Sequence, residues 1–90
     1  MWTVEYTKGF FKELAALPLE VQNRVETIVF EELKSENPFD LGYLHKMTGY
    51  KDKYKIRVGS YRIGIVMDKK RQSIICQRVA HRSHIYRIFP

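Results

Sequence analysis

The sequence predicts an α+β domain in which an N-terminal strand and two helices pack on one face of a twisted, mainly antiparallel sheet. Two changes along the chain support this fold class. Between residues 7 and 34 the apolar positions repeat with the helical period of about 3.6, and after Pro38 the period falls to about two, as in strands. Because 90 residues suffice for one small core, residues 1–90 are expected to form a single domain.

The first half of the chain is predicted to hold one short strand and two helices. Trp2–Tyr6 alternates apolar and polar residues, as a strand does. Thr7 is a favourable N-cap for a helix that ends near Leu17, and Pro18 begins a second helix that runs to about Lys34. The second helix is expected to bury a stripe formed by Val21, Val25, Ile28, Val29 and Leu33.

The second half is predicted to supply most of the sheet. A short extended piece is expected around Leu44–Met47, followed by strands at Tyr54–Val58, Tyr61–Asp68 and Ser73–Val79. Gly59-Ser60 has the glycine-first pattern of a two-residue type II′ turn.

That turn also fixes which residues lie opposite each other in the hairpin. It pairs Arg57 with Arg62 and Lys55 with Gly64, so all four lie on one face, while the apolar residues face the helices. Two arginines placed directly opposite each other destabilise a sheet, and a glycine inside a strand often marks a close approach. We therefore expect an anion, such as a phosphate, to bind on this face beside Gly64.

Charge is distributed unevenly along the chain. Residues 1–40 hold four lysine or arginine residues and eight acidic residues. Residues 41–90 hold twelve lysine or arginine residues and only two acidic residues. A basic half of this kind is typical of proteins that bind nucleic acid. The single cysteine excludes an internal disulfide, no zinc-type cluster is present, and no apolar run approaches a membrane span. A cytoplasmic protein without a metal or other cofactor is expected.

Two segments, YKIRVGSYRIGIV at residues 54–66 and VAHRSHIYRIF at residues 79–89, resemble the RelE/ParE superfamily of toxin–antitoxin toxins. The order of strand, two helices and sheet extends this resemblance over essentially the whole chain. For the RelE branch it implies a ribosome-dependent endoribonuclease that enters the ribosomal A site and cuts messenger RNA through attack by the nucleotide's own 2′-hydroxyl, without metal. It also implies an acidic antitoxin as the partner, and no membrane association.

The resemblance assigns catalytic roles to five residues: Lys55, Arg57, Arg62, Arg82 and Tyr86. Arg57 stands where the best-known RelE sequences have lysine, and arginine does not readily give up a proton. Lys55 is therefore the candidate general base, with His81 and His84 as alternative proton carriers. We expect Arg57 and Arg62 to hold phosphate oxygens, and Arg82 to act on the leaving oxygen or the scissile phosphate. Tyr86 is expected to stack on or orient a base. Further RNA contacts are expected from Lys46, Lys51, Lys53, Arg78 and His81.

Two other functions fit parts of the same pattern. The ParE branch shares the fold but inhibits DNA gyrase, which needs no ribonuclease residues. A non-enzymatic RNA-binding module would also use basic strands with interleaved aromatic residues. The cations at positions 55, 57, 62 and 82, together with Tyr86, favour the RelE branch. Codon preference, the antitoxin's identity and the oligomeric state are not readable from the sequence.

Overall fold

The computed structural model describes residues Met1–Pro90 and shows the predicted α+β architecture. Five strands form one sheet in the order β1-β5-β4-β3-β2, with β1 parallel to β5 and every other pair antiparallel. In chain order the elements are β1 (Thr3–Tyr6), α1 (Lys8–Ala15), α2 (Leu19–Phe30), β2 (Leu44–Lys46), β3 (Lys53–Val58), β4 (Tyr61–Asp68), β5 (Ser73–His81) and α3 (Ile85–Ile88).

Local sequence explains where the two long helices begin and end. The Thr7 hydroxyl accepts a hydrogen bond from the Phe10 N–H at 3.0 Å, which is the expected N-cap of α1. Helix α2 stops at Phe30, earlier than the predicted end at Lys34, and a 3₁₀ turn at Glu32–Lys34 follows. The tighter turn still buries Leu33 completely, so the apolar stripe continues although the helix type changes.

The core lies between these two helices and one face of the sheet. Tyr54, Ile56, Val58, Ile63, Ile65 and Met67 are all buried there, as the alternation predicts, while Tyr61 is only half-buried. The Tyr6 hydroxyl donates to the Val29 carbonyl at 2.6 Å, and burial raises the pKa of Tyr6 to about 12. Burial also raises the pKa of the Cys76 thiol to about 12, so this cysteine acts as a small apolar core residue.

Strand β5 has an open edge beyond Cys76, because β1 pairs with it only as far as that residue. Helix α1 covers this edge. The Thr7 hydroxyl donates to the Gln77 carbonyl at 2.8 Å, and the Glu13 carboxylate accepts from the Val79 N–H at 3.1 Å. These contacts satisfy backbone groups that would otherwise be left free at a sheet edge.

The pairing of β4 with β5 shifts register between Gly64 and Ile65. Arg78 pairs with Gly64 and Cys76 pairs with Ile65, which leaves one extra residue in β5, as in a β-bulge. As a result Cys76 and Val79 are both buried although they are three positions apart. No helix is long and apolar enough to cross a bilayer.

Candidate active site

The face of the sheet opposite α1 and α2 carries the predicted cations. The hairpin pairs Lys55 with Gly64 and Arg57 with Arg62, in the predicted register. Gly59 has a φ of 60° and Ser60 is not among the residues with positive φ, which fits a type II′ turn. The alternation of the strands therefore brings Lys55, Arg57 and Arg62 to one surface, which we call the cationic face.

Tyr86 joins this face from the C-terminal helix. The Lys55 ammonium donates a hydrogen bond to the Tyr86 hydroxyl at 3.1 Å, and the same nitrogen lies 5.2 Å from the centre of the tyrosine ring. The hydrogen bond from Lys55 lowers the pKa of Tyr86, and the positive charges of Lys55 and Arg62 lower it further, against the opposing effect of burial. About half of the side chain remains exposed.

Helix α3 is held in place by two apolar anchors on either side of Tyr86. Ile85 and Phe89 are buried, while Tyr86 points to solvent. The Phe89 ring lies directly over Gly64, so that a Cβ atom on this glycine would come within 2.5 Å of the ring. The expectation that Gly64 opens space for a phosphate is therefore wrong. Its missing side chain admits Phe89, which in turn carries Tyr86 to Lys55.

The arginines of the cationic face differ in how firmly they are held. One terminal nitrogen of Arg62 donates to the carbonyls of Gly59 and Tyr61, both at 2.8 Å, which ties the guanidinium to the hairpin turn. Arg57 is exposed, and its side chain makes no hydrogen bond within the chain. Arg82 follows β5, where its N–H donates to the Ser60 carbonyl at 2.7 Å, and its side chain is exposed.

No carboxylate neutralises this group of cations. The ion pairs of the protein are Lys53–Asp52, Arg71–Asp68 and Arg78–Glu13. None of them involves Lys55, Arg57, Arg62 or Arg82. The face thus presents several hydrogen-bond donors and uncompensated positive charge, which suits a phosphate diester.

Arg78, one of the predicted RNA contacts, is engaged in an ion pair within the chain. Its guanidinium binds the Glu13 carboxylate through two nitrogens, at distances of 2.7 to 3.1 Å. These hydrogen bonds raise the pKa of Arg78. The pair joins α1 to β5, and its positive charge is already compensated.

The other predicted RNA contacts lie outside the group formed by Lys55, Arg57 and Arg62, and Lys46 pairs with the buried Tyr54 of the opposite face. Lys46 and Lys51 line a shallow cleft of about 400 Å³ formed by the loop between β2 and β3. Lys53 pairs with the neighbouring Asp52 at 3.2 Å. In His81, Nδ1 accepts a hydrogen bond from the Ser83 N–H at 3.1 Å, which closes the turn after β5.

One residue of this face was not among the predicted site residues. His45 lies in β2 directly opposite Lys55, and its side chain is exposed. Paired residues of an antiparallel sheet share a face, so His45 belongs to the cationic face. The sequence indicated an extended piece here, but its pairing with β3 could not be read from it. No group of three or more potential metal ligands occurs in the chain.

Comparison with known proteins agrees with this architecture. A scan against protein-family models finds no match. Among curated proteins, Toxin RelE3 of Methanocaldococcus jannaschii is 40% identical over 88 residues, which covers 97% of this chain and 98% of the relative. The chain belongs to the RelE toxin family. It is therefore a RelE toxin of a toxin–antitoxin system.

Solved structures extend the likeness to three dimensions. The RelB–RelE antitoxin–toxin complex from Methanococcus jannaschii contains a chain with 38% identity and a TM-score of 0.78, with 96% of this chain and 99% of that chain covered. In the intact E. coli RelBE complex the matching chain has a TM-score of 0.69 at 20% identity. The match covers 90% of this chain and 96% of that chain. The second comparison shows that the RelE fold persists where the sequence has diverged widely.

Proposed function

We propose that this RelE toxin is a ribosome-dependent endoribonuclease that cuts messenger RNA without a metal ion, through attack by the RNA's 2′-hydroxyl on the adjacent phosphate. The observation that carries the proposal is the cationic face itself. Lys55, Arg57 and Arg62 share one solvent-facing surface, no carboxylate compensates them, and the Lys55 ammonium holds the Tyr86 hydroxyl.

The arginines would stabilise the charge that develops on the phosphate. A guanidinium donates two parallel hydrogen bonds to phosphate oxygens, and preorganised donors of this kind are worth about 10²–10³ in rate each. Arg62 is preorganised because two backbone carbonyls orient it. Arg57 lies opposite Arg62 in the register, and Arg82 adds a third cation at the end of β5. Placing a phosphate between these groups relieves their mutual repulsion.

The Lys55–Tyr86 pair would supply the proton that the leaving 5′-oxygen requires. A tyrosine with a lowered pKa is a stronger acid than an ordinary phenol, and the adjacent ammonium stabilises the phenolate that remains. The exposed ring of Tyr86 also offers a surface on which a neighbouring base can stack. Both roles place the scissile phosphate beside Lys55.

An open surface explains why such an enzyme would depend on the ribosome. The two cavities of the protein are shallow and lie at the β2–β3 loop and beside α2, and neither is lined by Lys55, Arg57 or Arg62. A flat face cannot by itself align a flexible RNA for attack, and correct alignment accounts for a large part of catalysis. A messenger RNA already held in the ribosomal A site would arrive with its conformation restricted.

We propose a cognate antitoxin as the protein partner. Several structures with the same fold are RelB–RelE complexes, from Methanococcus jannaschii and E. coli among others. An acidic segment of an antitoxin would match the cationic face in charge and would block RNA at the same time.

Primer extension on translated messenger RNA tests the proposal directly. We expect cuts within codons when ribosomes are present and no cuts with RNA alone. Lys55→Met should lower the cleavage rate by about 10²–10⁴, the contribution typical of a proton-transfer group. Lys34→Met is the matched control, because Lys34 is an exposed lysine of the helical half.

Other outcomes point to other functions. Inhibition of DNA gyrase with intact RNA would assign the chain to ParE-type activity. RNA binding without either effect would indicate a non-enzymatic module.

A further inference from the structure

Lys55 has a different type of residue on each side of it in the sheet, because its strand pairs with β4 on one side and with β2 on the other. On one side β4 presents Gly64, which is covered by Phe89, and helix α3 brings in Tyr86 from there. On the other side β2 presents His45, which is exposed and makes no side-chain hydrogen bond within the chain. Lys55 therefore lies between an imidazole and a phenol.

This arrangement fits the geometry of phosphate cleavage by an internal nucleophile. The attacking oxygen and the leaving oxygen lie on opposite sides of the phosphorus, roughly in line. A base is needed on the side of the 2′-hydroxyl and an acid on the side of the 5′-oxygen. If Tyr86 serves the leaving oxygen, the base must lie on the opposite flank of Lys55, which is the flank of His45.

We propose that His45 is the general base that accepts the proton of the attacking 2′-hydroxyl, an inference that rests on the proposed ribonuclease function. The neutral imidazole takes this proton as the 2′-oxygen bonds to phosphorus. The bond from phosphorus to the 5′-oxygen then breaks, and the 5′-oxygen receives a proton from the Lys55–Tyr86 pair. The products are a 2′,3′-cyclic phosphate and a 5′-hydroxyl, so atoms and charge balance without any co-reactant.

Other candidate bases of the face are less suited to this step. The Lys55 ammonium donates a hydrogen bond to Tyr86, and in this protonated form it has no lone pair with which to accept a proton. Guanidinium groups stay protonated in proteins, which excludes Arg57 and Arg62. His81 has one ring nitrogen engaged by the Ser83 N–H, and its ring packs against Tyr61 at 5.4 Å.

The charged groups that face His45 come from β3 and α3. Lys55 lies directly opposite, Lys53 and Arg57 are its diagonal neighbours on β3, and Tyr86 lies beyond Lys55. β2 is the edge strand of the sheet, and besides β3 it contacts the 3₁₀ turn at Pro38–Leu41, whose one charged residue is Asp40.

The test is single-turnover cleavage of ribosome-bound messenger RNA by wild type and His45→Ala at several pH values. We expect the variant to lose about 10²–10⁴ in rate and to lose the rise in rate with pH that a titrating base produces. Added imidazole should restore cleavage by His45→Ala and should not restore Lys55→Met. The urea midpoint should be unchanged, and if His45→Ala is unstable, His45→Gln gives the same comparison with a side chain of similar size.

Three results would overturn the assignment of His45. The first is cleavage by His45→Ala at the same rate as the wild type. The second is a slow variant with an unchanged pH profile and no rescue by imidazole, which would mean that His45 only positions the RNA. The third is loss of the pH-dependent step in His84→Ala while His45→Ala retains it. Failure of the wild type to cleave would instead overturn the proposed function.

Discussion

The two faces of the sheet differ in their side chains and in what those side chains contribute to stability. On the face toward α1 and α2, aliphatic side chains such as Ile56 and Ile63 are completely buried, and each contributes roughly 1.5–3 kcal/mol of stability. On the other face two arginines lie opposite each other and no carboxylate compensates them, which costs stability. The difference indicates that the first face holds the fold together, whereas the cationic face is kept for a negatively charged partner.

The largest effect on stability is expected on the helix-covered face. Ile56→Ala should lower the free energy of unfolding by about 2–5 kcal/mol, because it removes buried methyl groups and leaves a cavity. Urea denaturation measures this loss. Cleavage by the fraction that remains folded should stay near the wild-type rate. A loss of cleavage without a loss of stability would contradict the division between the two faces.

A smaller effect on stability, with a marked effect on function, is expected at Gly64. The added methyl group of Gly64→Ala would come within 2.5 Å of the Phe89 ring, and overpacking of this kind costs about 1–3 kcal/mol. The displaced ring should move α3 and separate Tyr86 from Lys55. Cleavage should fall, and Phe89→Ala in the Gly64→Ala background should recover part of the stability. If Gly64→Ala is as stable and active as wild type, Phe89 does not position Tyr86.

The smallest effect is expected in the titration of Tyr86. Lys55→Met removes the hydrogen bond and one of the positive charges that favour the phenolate. The pKa of Tyr86 should therefore rise, and the tyrosinate should form at higher pH than in wild type. NMR signals of the Tyr86 ring follow this titration, with Tyr6 as an internal reference because it is partly buried against the core. An unchanged pKa would show that Lys55 and Tyr86 do not interact in solution.

The spacing of apolar residues in the sequence was sufficient to predict the fold and the central hairpin. The turn Gly59-Ser60 fixed the pairing of Arg57 with Arg62, because a two-residue loop leaves no freedom in the register. The resemblance to RelE identified Tyr86 as a site residue. Its contact with Lys55 could not be predicted from the sequence pattern alone, because the two residues lie far apart in the chain. These are local or family-level signals, and the structure confirms the fold that they predict.

The remaining features depend on contacts between segments far apart in sequence. Strict alternation cannot place the side chain of Arg78, because a register shift in β5 and the partner Glu13 decide its position. The role of Gly64 was misread because its neighbour Phe89 belongs to the C-terminal segment. His45 was not recognised because only the pairing of β2 with β3 places it beside Lys55. None of these pairings leaves a pattern in a single sequence.

The central claim, that the cationic face serves RNA cleavage and not stability, is tested most directly by Arg57→Thr. Arg57 is exposed and lies opposite Arg62, and threonine suits a strand. Removing one of two facing like charges should leave the free energy of unfolding unchanged or raise it by about 0.2–1 kcal/mol. Cleavage of ribosome-bound messenger RNA should fall by about 10²–10³. A destabilised Arg57→Thr protein that cleaves at the wild-type rate would contradict the claim.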